Sequence, residues 1–448
     1  MWNYLLKGFD NNEAAITFSM ITKLATYIVD TNPMIKRAIQ ATYSYVFLDE
    51  FQDTTELQYL FLKSCFKDSK SIITAVGDYK QRIMVWAGAL KTVFDDFRSD
   101  FNADDFNLIM NYRSAPRLVS LQKAMYGILN ESQSYVGTSD KWNDDDGCVK
   151  LLMSKNELQE SQNVVESIKE NISDGMDLKD ICILCKQKIK DYTSQIIIDL
   201  QKEGIRARDE GEYQEQLSEP IVNLILNFLK LSVNRKSPDE WINLETEYIA
   251  IMDETDENQD DIYRDCIYKL DCKLKEINKY LKLPLDINKF NYMIDNIIDF
   301  FNIDRIKARY ITYKQGDYFN KTITKFKDLF WKEYEYAELN MIKAIEGFRG
   351  LYSIPIMTIH KSKGLEYSAV YFIGLEDDAF WNYNNQQEED RCAFFVAISR
   401  AKKFLMFTFC EQRKNTKNPI QKTEKIEEFY DLLSESKVAE KIDKRDCV

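Results

Sequence analysis

Glycine and proline are scarce in this sequence. Its 448 residues include 14 glycines and 7 prolines, less than half of the roughly 12% that these two residue types contribute on average. Because they dominate turns, their scarcity excludes a loop-rich or all-β protein and favours a helix-rich one. The length predicts about three domains of roughly 150 residues each. With 45% apolar and 13% aromatic residues, the chain is not globally disordered.

Histidine and excess positive charge are also missing. His360 is the only histidine, which excludes histidine-rich zinc sites. Cys182 and Cys185 form a single CxxC within an apolar run, which indicates buried strand cysteines rather than metal ligands. The net charge of −13 excludes nucleic-acid binding through bulk charge and would require a local basic patch. Without a signal segment or a long apolar run, we predict a cytoplasmic protein with no membrane contact.

Two sequence textures divide the chain. Residues 1–205 and 350–412 alternate short apolar runs with helical patterns, which predicts βα units and a parallel sheet. The predicted strands are Tyr45–Leu48, Ile72–Val76, Val149–Met153, Ile181–Cys185, Ile354–Thr358, Ala369–Ile373 and Phe404–Phe409. Residues 210–348 instead show helical spacing, which predicts an all-helical insertion. Its predicted helices are Ile221–Leu231, Ile262–Leu281, Tyr292–Phe301 and Phe319–Ile345, and the acidic run 253–261 is predicted to be a solvated loop.

Two of the predicted strands end in residues suited to a nucleotide site. Asp49 and Glu50 follow the first strand, within the segment DEFQDTT. Open α/β sheets place ligands at the carboxyl ends of strands, where Asp49 could hold Mg²⁺ and Glu50 could orient and deprotonate an attacking water. Gln81 lies shortly after the second strand and could sense a γ-phosphate through a hydrogen bond. If the sequence held only the pair Asp-Glu, without the rest of DEFQDTT, a strand followed by a polar turn would be the better interpretation.

The two segments resemble motifs II and III of the UvrD/Rep-type superfamily 1 DNA helicases. Later segments resemble further motifs in the same order: NYRS at 111–114 is similar to motif IV, TIHKSKGLE at 358–366 to motif V, and EEDR at 388–391 with FVAISRA at 395–401 to motif VI. The resemblance covers residues from about 16 to 410, and the helical insertion matches only in position.

The resemblance implies an α/β fold of two RecA-like parallel-sheet lobes, the first incomplete, with an all-helical insertion domain. The predicted divisions are 1–115 for the partial first lobe, 116–209 and 349–412 for the second lobe, 210–348 for the insertion and 413–448 for a charged, peripheral tail.

The resemblance also implies cofactors and site residues. ATP and Mg²⁺ would bind, with catalytic roles for Asp49, Glu50, Gln81, Arg113 and Arg400. Arg113 and Arg400 would reach the γ-phosphate, although outside their motifs both would be read as surface salt bridges. Further nucleotide contacts would come from Tyr112 on the adenine, Glu366 on the ribose, and Gly364.

DNA contacts are implied for Trp86, Thr358, His360 and Lys361. Trp86 would stack on a base, which tolerates any sequence; a core tryptophan is the alternative. Met84 and Ala87 stand where the family usually has an aromatic and a basic residue, which predicts weaker stacking. Lys361 and Lys363 would supply local positive charge along the single strand.

The phosphate-binding motif G-x-x-x-x-G-K-[ST] is absent, since no glycine precedes a lysine in the chain. We therefore expect the first lobe to lack its N-terminal portion, to expose apolar faces, and to be poorly stable alone. One hypothesis is a 3′→5′ DNA helicase or translocase that acts on single-stranded DNA or DNA with a 3′ tail. It would be inactive in isolation and would need the missing segment in trans, from a separate chain. The alternative is a catalytically inactive remnant that binds single-stranded DNA or docks on another subunit.

Overall fold

A computed structural model describes residues 16–129, 136–252, 259–414 and 416–446. Internal contacts divide the chain into two compact units. Unit 1 comprises residues 1–160, 184–188 and 358–448, and unit 2 comprises residues 161–183 and 189–357. The domain boundaries expected from the sequence stay a prediction. Residues 253–258 of the acidic run lie outside the described residues.

The described helices and strands follow one another along the chain as listed here in order. The helices are α1 Phe18–Thr31, α2 Pro33–Thr42, α3 Glu56–Phe66, α4 Val93–Phe101, α5 Pro116–Ile128, α6 Glu157–Ser173, α7 Ile189–Lys202, α8 Glu210–Leu217, α9 Pro220–Val233, α10 Pro238–Met252, α11 Gln259–Leu281, α12 Ile287–Phe301, α13 Ile303–Arg309, α14 Tyr318–Tyr336, α15 Met341–Phe348, α16 Gln387–Ser399 and α17 Glu427–Glu435. The strands are β1 Tyr45–Leu48, β2 Ile72–Ala75, β3 Met110–Asn111, β4 Gly137–Thr138, β5 Cys148–Asn156, β6 Ile181–Cys185, β7 Ala207–Asp209, β8 Ile354–Thr358, β9 Tyr367–Ile373, β10 Ala401–Gln412 and β11 Ala439–Asp443.

A two-stranded parallel sheet carries the first candidate motifs in unit 1. β1 pairs with β2 in the register Tyr45 to Ile72. Thr55 begins α3 with a capping box, in which its hydroxyl accepts from Gln58 N and Gln58 Oε1 accepts from Thr55 N. Phe51 lies three residues after the end of β1 and packs edge-on against Phe94 and Phe97 of α4. The polar residues that follow β1 are therefore anchored to an apolar cluster.

The same small sheet exposes apolar side chains. Tyr45, Phe47 and Ile72 are 65%, 76% and 56% exposed, although their positions on strands would ordinarily favour burial on at least one face. The exposed side chains agree with the sequence-based expectation of apolar surface on this part of the chain.

Four neighbouring parallel strands of the larger sheet belong to unit 1. β10 pairs with both β5 and β9, and β5 also pairs with β11. Every residue of β10 from Phe404 to Cys410 is buried, which explains why this part of the strand is almost entirely apolar in sequence. β11 and α17 lie in the segment that the sequence predicted to be a peripheral tail; Phe429 and Leu433 of α17 are buried, and this differs from that expectation.

One arginine and two glutamates form a buried cluster beside the ends of β9 and β10. Arg413 donates from Nε to Glu376 Oε1 over 2.6 Å and from Nη2 to Glu160 Oε1 over 2.8 Å. All three side chains are at most 1% exposed. Two glutamate side chains therefore share one guanidinium away from water.

Unit 2 contains the helical insertion, which packs α8 to α15 around one apolar core. The predicted helix Phe319–Ile345 is wrong in one respect, because the chain forms α14 and α15 separately. Glu338 and Leu339 adopt positive φ angles of 52° and 63° between them, a conformation that ends a helix. Glu333 of α14 is buried and pairs with Arg206, while it also accepts from the Tyr213 hydroxyl.

Further sequence-based expectations can be compared with the described residues. All seven predicted strands form, and the strand pairs β1–β2, β3–β4, β5–β10, β5–β11, β7–β8 and β9–β10 are all parallel. Cys182 and Cys185 are fully buried in β6, as predicted. None of the described helices combines the length and the apolar character that crossing a bilayer requires. A cytoplasmic location stays a prediction.

Candidate functional site

The loop after β1 holds Asp49 and Glu50 in a constrained turn. Glu50 has a φ of 50°, which is unusual for a residue with a side chain and costs on the order of 1 kcal/mol. Asp49 Oδ1 accepts from Glu50 N over 2.8 Å, so the first carboxylate supports the turn that presents the second. Left-handed residues of this kind cluster at functional sites.

Gln52 connects this loop to the loop after β2. Its Nε2 donates to Glu50 Oε2 over 2.6 Å, and its Oε1 accepts from Asp78 N over 3.0 Å. Gly77 is required beside it, because an added Cβ would lie 2.2 Å from Gln52 Oε1. Gln81 is oriented in turn by Asp78, whose Oδ2 accepts from Gln81 Nε2 over 3.2 Å. The two loops thus form one hydrogen-bonded unit.

A cavity of about 450 Å³ opens beside the first loop. Its lining includes the carboxylates Asp49, Glu50 and Asp53. Within the described residues no three histidine, cysteine or acidic side chains are grouped to hold a metal. Mg²⁺ is usually bound by one or two carboxylates together with phosphates and waters, so the exposed Asp49 fits that donor set.

Arg400 is the most unusual charge in the site. Its side chain is 1% exposed, yet its hydrogen bonds within the described residues all go to neutral oxygens: Val396 O, Leu365 O, Ser399 Oγ and Gln81 Oε1. Burial lowers the pKa of Arg400 to about 10, and the charge of Arg113 adds to the effect, while Glu50 opposes it. A buried guanidinium without a bonded carboxylate is costly, and a bound anion would compensate its charge.

Arg113 is occupied by a carboxylate. It donates from Nε to Glu366 Oε2 over 2.7 Å and from Nη1 to Ser399 O over 3.1 Å. Lys402 holds the other oxygen, with Nζ 2.6 Å from Glu366 Oε1. These cations, Lys402 first, lower the pKa of Glu366. Glu366 therefore already neutralises part of the Arg113 charge, and a phosphate that binds Arg113 would compete with this ion pair.

Lys363 contacts the acidic loop rather than standing free along a DNA path. Its Nζ lies 3.0 Å from Glu50 Oε2 and also pairs with Asp53. The side chain is 14% exposed. This differs from the expectation that Lys363 provides positive charge for DNA, because two nearby carboxylates already neutralise it.

The remaining predicted residues are dispersed around this cluster. Trp86 and Tyr112 are 71% and 67% exposed, so the core alternative for Trp86 is wrong. His360 is half-buried and hydrogen-bonds the backbone of Ile83. Burial, followed by the charge of Lys186, lowers its pKa. Thr358 is half-buried and Lys361 is exposed. Gly364 has a φ of +80°, and a Cβ added there would have no neighbour within 4 Å.

Sequence reasoning overlooked the residues that support the site. Gln52, Asp78 and Lys402 each orient a predicted residue through a hydrogen bond or ion pair. Gln52 and Asp78 stand within the motifs themselves, so their proximity to Glu50 and Gln81 was the available signal. Lys402 offered none, because a lysine after a helix is usually a solvated charge.

Comparison with known proteins defines the class of this chain. A family model described as the UvrD/REP helicase N-terminal domain matches residues 5–102, and one described as the UvrD-like helicase C-terminal domain matches residues 106–353 and 335–412. The chain therefore belongs to the UvrD/Rep family of DNA helicases, and the predicted fold class of RecA-like parallel sheets with inserted helices is confirmed.

Relatives with curated names agree with this assignment. The chain is 26% identical over 466 residues to the ATP-dependent DNA helicase Rep of Buchnera aphidicola, covering 92% of this chain and 69% of that protein. It is 23% identical to DNA helicase II of Haemophilus influenzae over 86% of this chain and 58% of that protein. It is 24% identical to the ATP-dependent DNA helicase PcrA of Bacillus subtilis over 89% of this chain and 59% of that protein. The chain thus spans between 58% and 69% of the length of these relatives.

Proposed function

We propose that this protein acts as an ATP-dependent DNA helicase or translocase that moves 3′→5′ along single-stranded DNA or DNA with a 3′ tail. The buried Arg400, which is bonded to Gln81 and to no carboxylate of the described residues, is the observation that supports it most directly. A nucleotide phosphate would supply the missing negative charge. Family membership and the names of the relatives support the same activity.

The site residues divide the chemistry in this proposal. Asp49 holds Mg²⁺, which when bound neutralises phosphate charge, and Glu50 orients the attacking water and takes its proton. Gln81 reads the γ-phosphate together with Arg400. Arg113 exchanges Glu366 for the phosphate, and an arginine in this role is worth about 10³–10⁵ in rate. Tyr112, Gly364 and Glu366 contact the remainder of the nucleotide, while Trp86, Thr358, His360 and Lys361 contact DNA.

Turnover in this proposal also needs a phosphate-binding loop that the 448 residues do not encode. The comparisons do not point to a separate chain that carries it. A segment containing G-x-x-x-x-G-K-[ST] can be supplied experimentally, either fused to this chain or added to it.

The test is ATP hydrolysis with and without single-stranded DNA, measured for this chain alone, with the added segment and as the fusion. We expect DNA-stimulated hydrolysis only when the segment is present. Binding of single-stranded DNA with no hydrolysis in any arm would contradict the enzyme proposal and support the non-catalytic alternative. Hydrolysis by the chain alone would contradict the need for the loop.

A further inference from the structure

Arg82 joins the two ends of the loop that carries Trp86, which we call the Trp86 loop (residues 82–89). Its Nη1 donates to the backbone oxygen of Ala89 over 3.4 Å. Within the loop, Ala87 N and Ala89 N both donate to Met84 O, over 3.0 and 3.3 Å. Gly88, with a φ of 90°, makes the reversal possible. The arginine at the start of the loop therefore closes it.

The same guanidinium anchors the loop to α16. Arg82 Nη2 lies 2.6 Å from Glu388 Oε1, and the Arg82 side chain is 6% exposed. One helical turn further along α16, the Cys392 thiol lies 3.8 Å from Tyr79 O. Because residues four positions apart share one face of a helix, the turn before the loop and the loop base rest on a single face of α16.

Burial changes sharply between the base of the loop and its tip. Ile83 and Ala89 at the base are 1% and 8% exposed, whereas Trp86 is 71% exposed. Because the ends of the Trp86 loop are fixed, the exposed indole loses little further conformational freedom when it stacks on a nucleobase. This lowers the entropic cost of binding DNA.

We propose that Arg82 is a positioning residue for single-stranded DNA, which it affects only by fixing the loop that presents Trp86. The inference rests on the proposed function, specifically on DNA binding at Trp86. Arg82 itself does not touch DNA, because its guanidinium is buried and already bonded to Glu388 and Ala89. Its removal takes this donor from Ala89 O and leaves Glu388 paired with the exposed Lys91, 3.1 Å away, so the base of the loop loses its buried anchor to α16.

The test compares Arg82→Met, Trp86→Ala and the double variant by fluorescence anisotropy of a labelled oligothymidine at several salt concentrations. Arg98→Met is the matched control, since Arg98 is a 48% exposed arginine whose ion pairs lie on α4 and just after it. Trp86→Ala should weaken binding about fivefold or more. We expect Arg82→Met to weaken it about fivefold, and the double variant to bind within about twofold of Trp86→Ala.

The salt dependence separates positioning from direct contact. On single-stranded DNA, removing a residue that neutralises one phosphate lowers the magnitude of the slope of log affinity against log salt by about 0.7. Arg82→Met should leave this slope unchanged, and Arg98→Met should leave both slope and affinity unchanged. A slope magnitude reduced by about 0.7, additive losses in the double variant, or wild-type affinity for Arg82→Met would each overturn the proposal.

A second measurement does not depend on DNA. Hydrogen exchange of the Ala87, Gly88 and Ala89 amides should become about tenfold faster in Arg82→Met, and faster to a smaller extent in Glu388→Gln, which leaves the buried arginine in place. Unchanged exchange in both variants overturns the inference. If the wild-type chain binds no oligothymidine, DNA binding in the proposed function fails. The positioning role then fails with it, while the exchange data still report whether Arg82 fixes the loop.

Discussion

Arg400 donates a hydrogen bond from Nη2 to Gln81 Oε1 over 2.9 Å. The two residues lie 319 positions apart, one at the end of α16 and the other after β2. Glu50 acts electrostatically on the same guanidinium. Three side chains that the sequence nominated for one phosphate site therefore lie near one another in unit 1, and the arrangement supports several predictions.

Replacing Glu50 with glutamine should abolish ATP turnover in the loop-supplemented protein while nucleotide affinity changes less than about threefold. The amide keeps the shape of the side chain but cannot take a proton from water. Steady-state hydrolysis and equilibrium nucleotide binding measure the two effects. Glu56→Gln, on the first turn of α3, is the matched control and should retain activity. Turnover that survives in Glu50→Gln rules out the assigned role.

His360 should titrate below its ordinary pKa of 6.5, because burial disfavours the charged imidazole. The unfolded chain takes up this proton near pH 6.5 and the folded protein only at lower pH. The free energy of unfolding should therefore fall as the pH drops below about 6.5. As the only histidine, His360 gives a single imidazole resonance in an NMR titration of untagged protein.

The control for this effect is His360→Gln. The variant should lose part of the slope of unfolding free energy against pH between about pH 5.5 and 7, while the slope at higher pH remains. A titration midpoint at or above 6.5 would show that the imidazole is solvated or stabilised in its charged form, contrary to the structure.

Because of the titration of Glu376, the free energy of unfolding should fall as the pH rises from about 4.5 to about 8. Burial raises the pKa of Glu376 from 4.5 to about 8, with Arg413 opposing and the charge of Glu160 adding to the shift. Between these pH values the folded protein holds a proton that the unfolded chain has already lost. The free energy of unfolding therefore falls as the pH rises through this window. Denaturant unfolding of Glu376→Gln should show a flatter pH profile than the wild type. Glu411→Gln, which removes a partly exposed partner of Lys155, should follow the wild type; identical profiles for wild type and Glu376→Gln would refute the shift.

Two phenylalanines four positions apart should differ widely in their contribution to stability. Phe51 is 2% exposed and contacts three aromatic rings, whereas Phe47 is 76% exposed. Phe51→Ala should cost about 3–5 kcal/mol of unfolding free energy. Phe47→Ala should cost less than about 0.5 kcal/mol, and it should reduce aggregation by removing exposed apolar surface. Equal losses in chemical denaturation would contradict the burial pattern.

Local patterns in the sequence predicted the strands well. Tyr45–Leu48, Ile181–Cys185 and Ile354–Thr358 form with the predicted bounds, because their apolar runs end at polar or turn-forming residues. β11 was overlooked, since three of its five residues are charged and it sits at a sheet edge, where such residues are common. The break between α14 and α15 depends on two left-handed residues that are not glycine, which composition does not reveal.

The sequence predicted which residues belong to the candidate site, but not which hydrogen bonds and ion pairs these residues form. The motifs nominated Glu50, Gln81, Arg113 and Arg400 without indicating which of them meet. Arg113 binds Glu366, and Lys363 binds Glu50, because opposite charges from distant segments are brought together by the tertiary fold. Pairings of this kind are set by three-dimensional proximity and leave no trace in local spacing.

The central claim is that Gln81 and Arg400 together read the terminal phosphate of a bound nucleotide. Its most direct test is the affinity of the loop-supplemented protein for a non-hydrolysable ATP analogue relative to ADP, measured with Mg²⁺ by calorimetry. The account predicts that the wild type prefers the triphosphate by about tenfold or more, and that Gln81→Leu and Arg400→Met each remove most of this preference while ADP affinity is retained. A triphosphate preference that persists in both variants would contradict it.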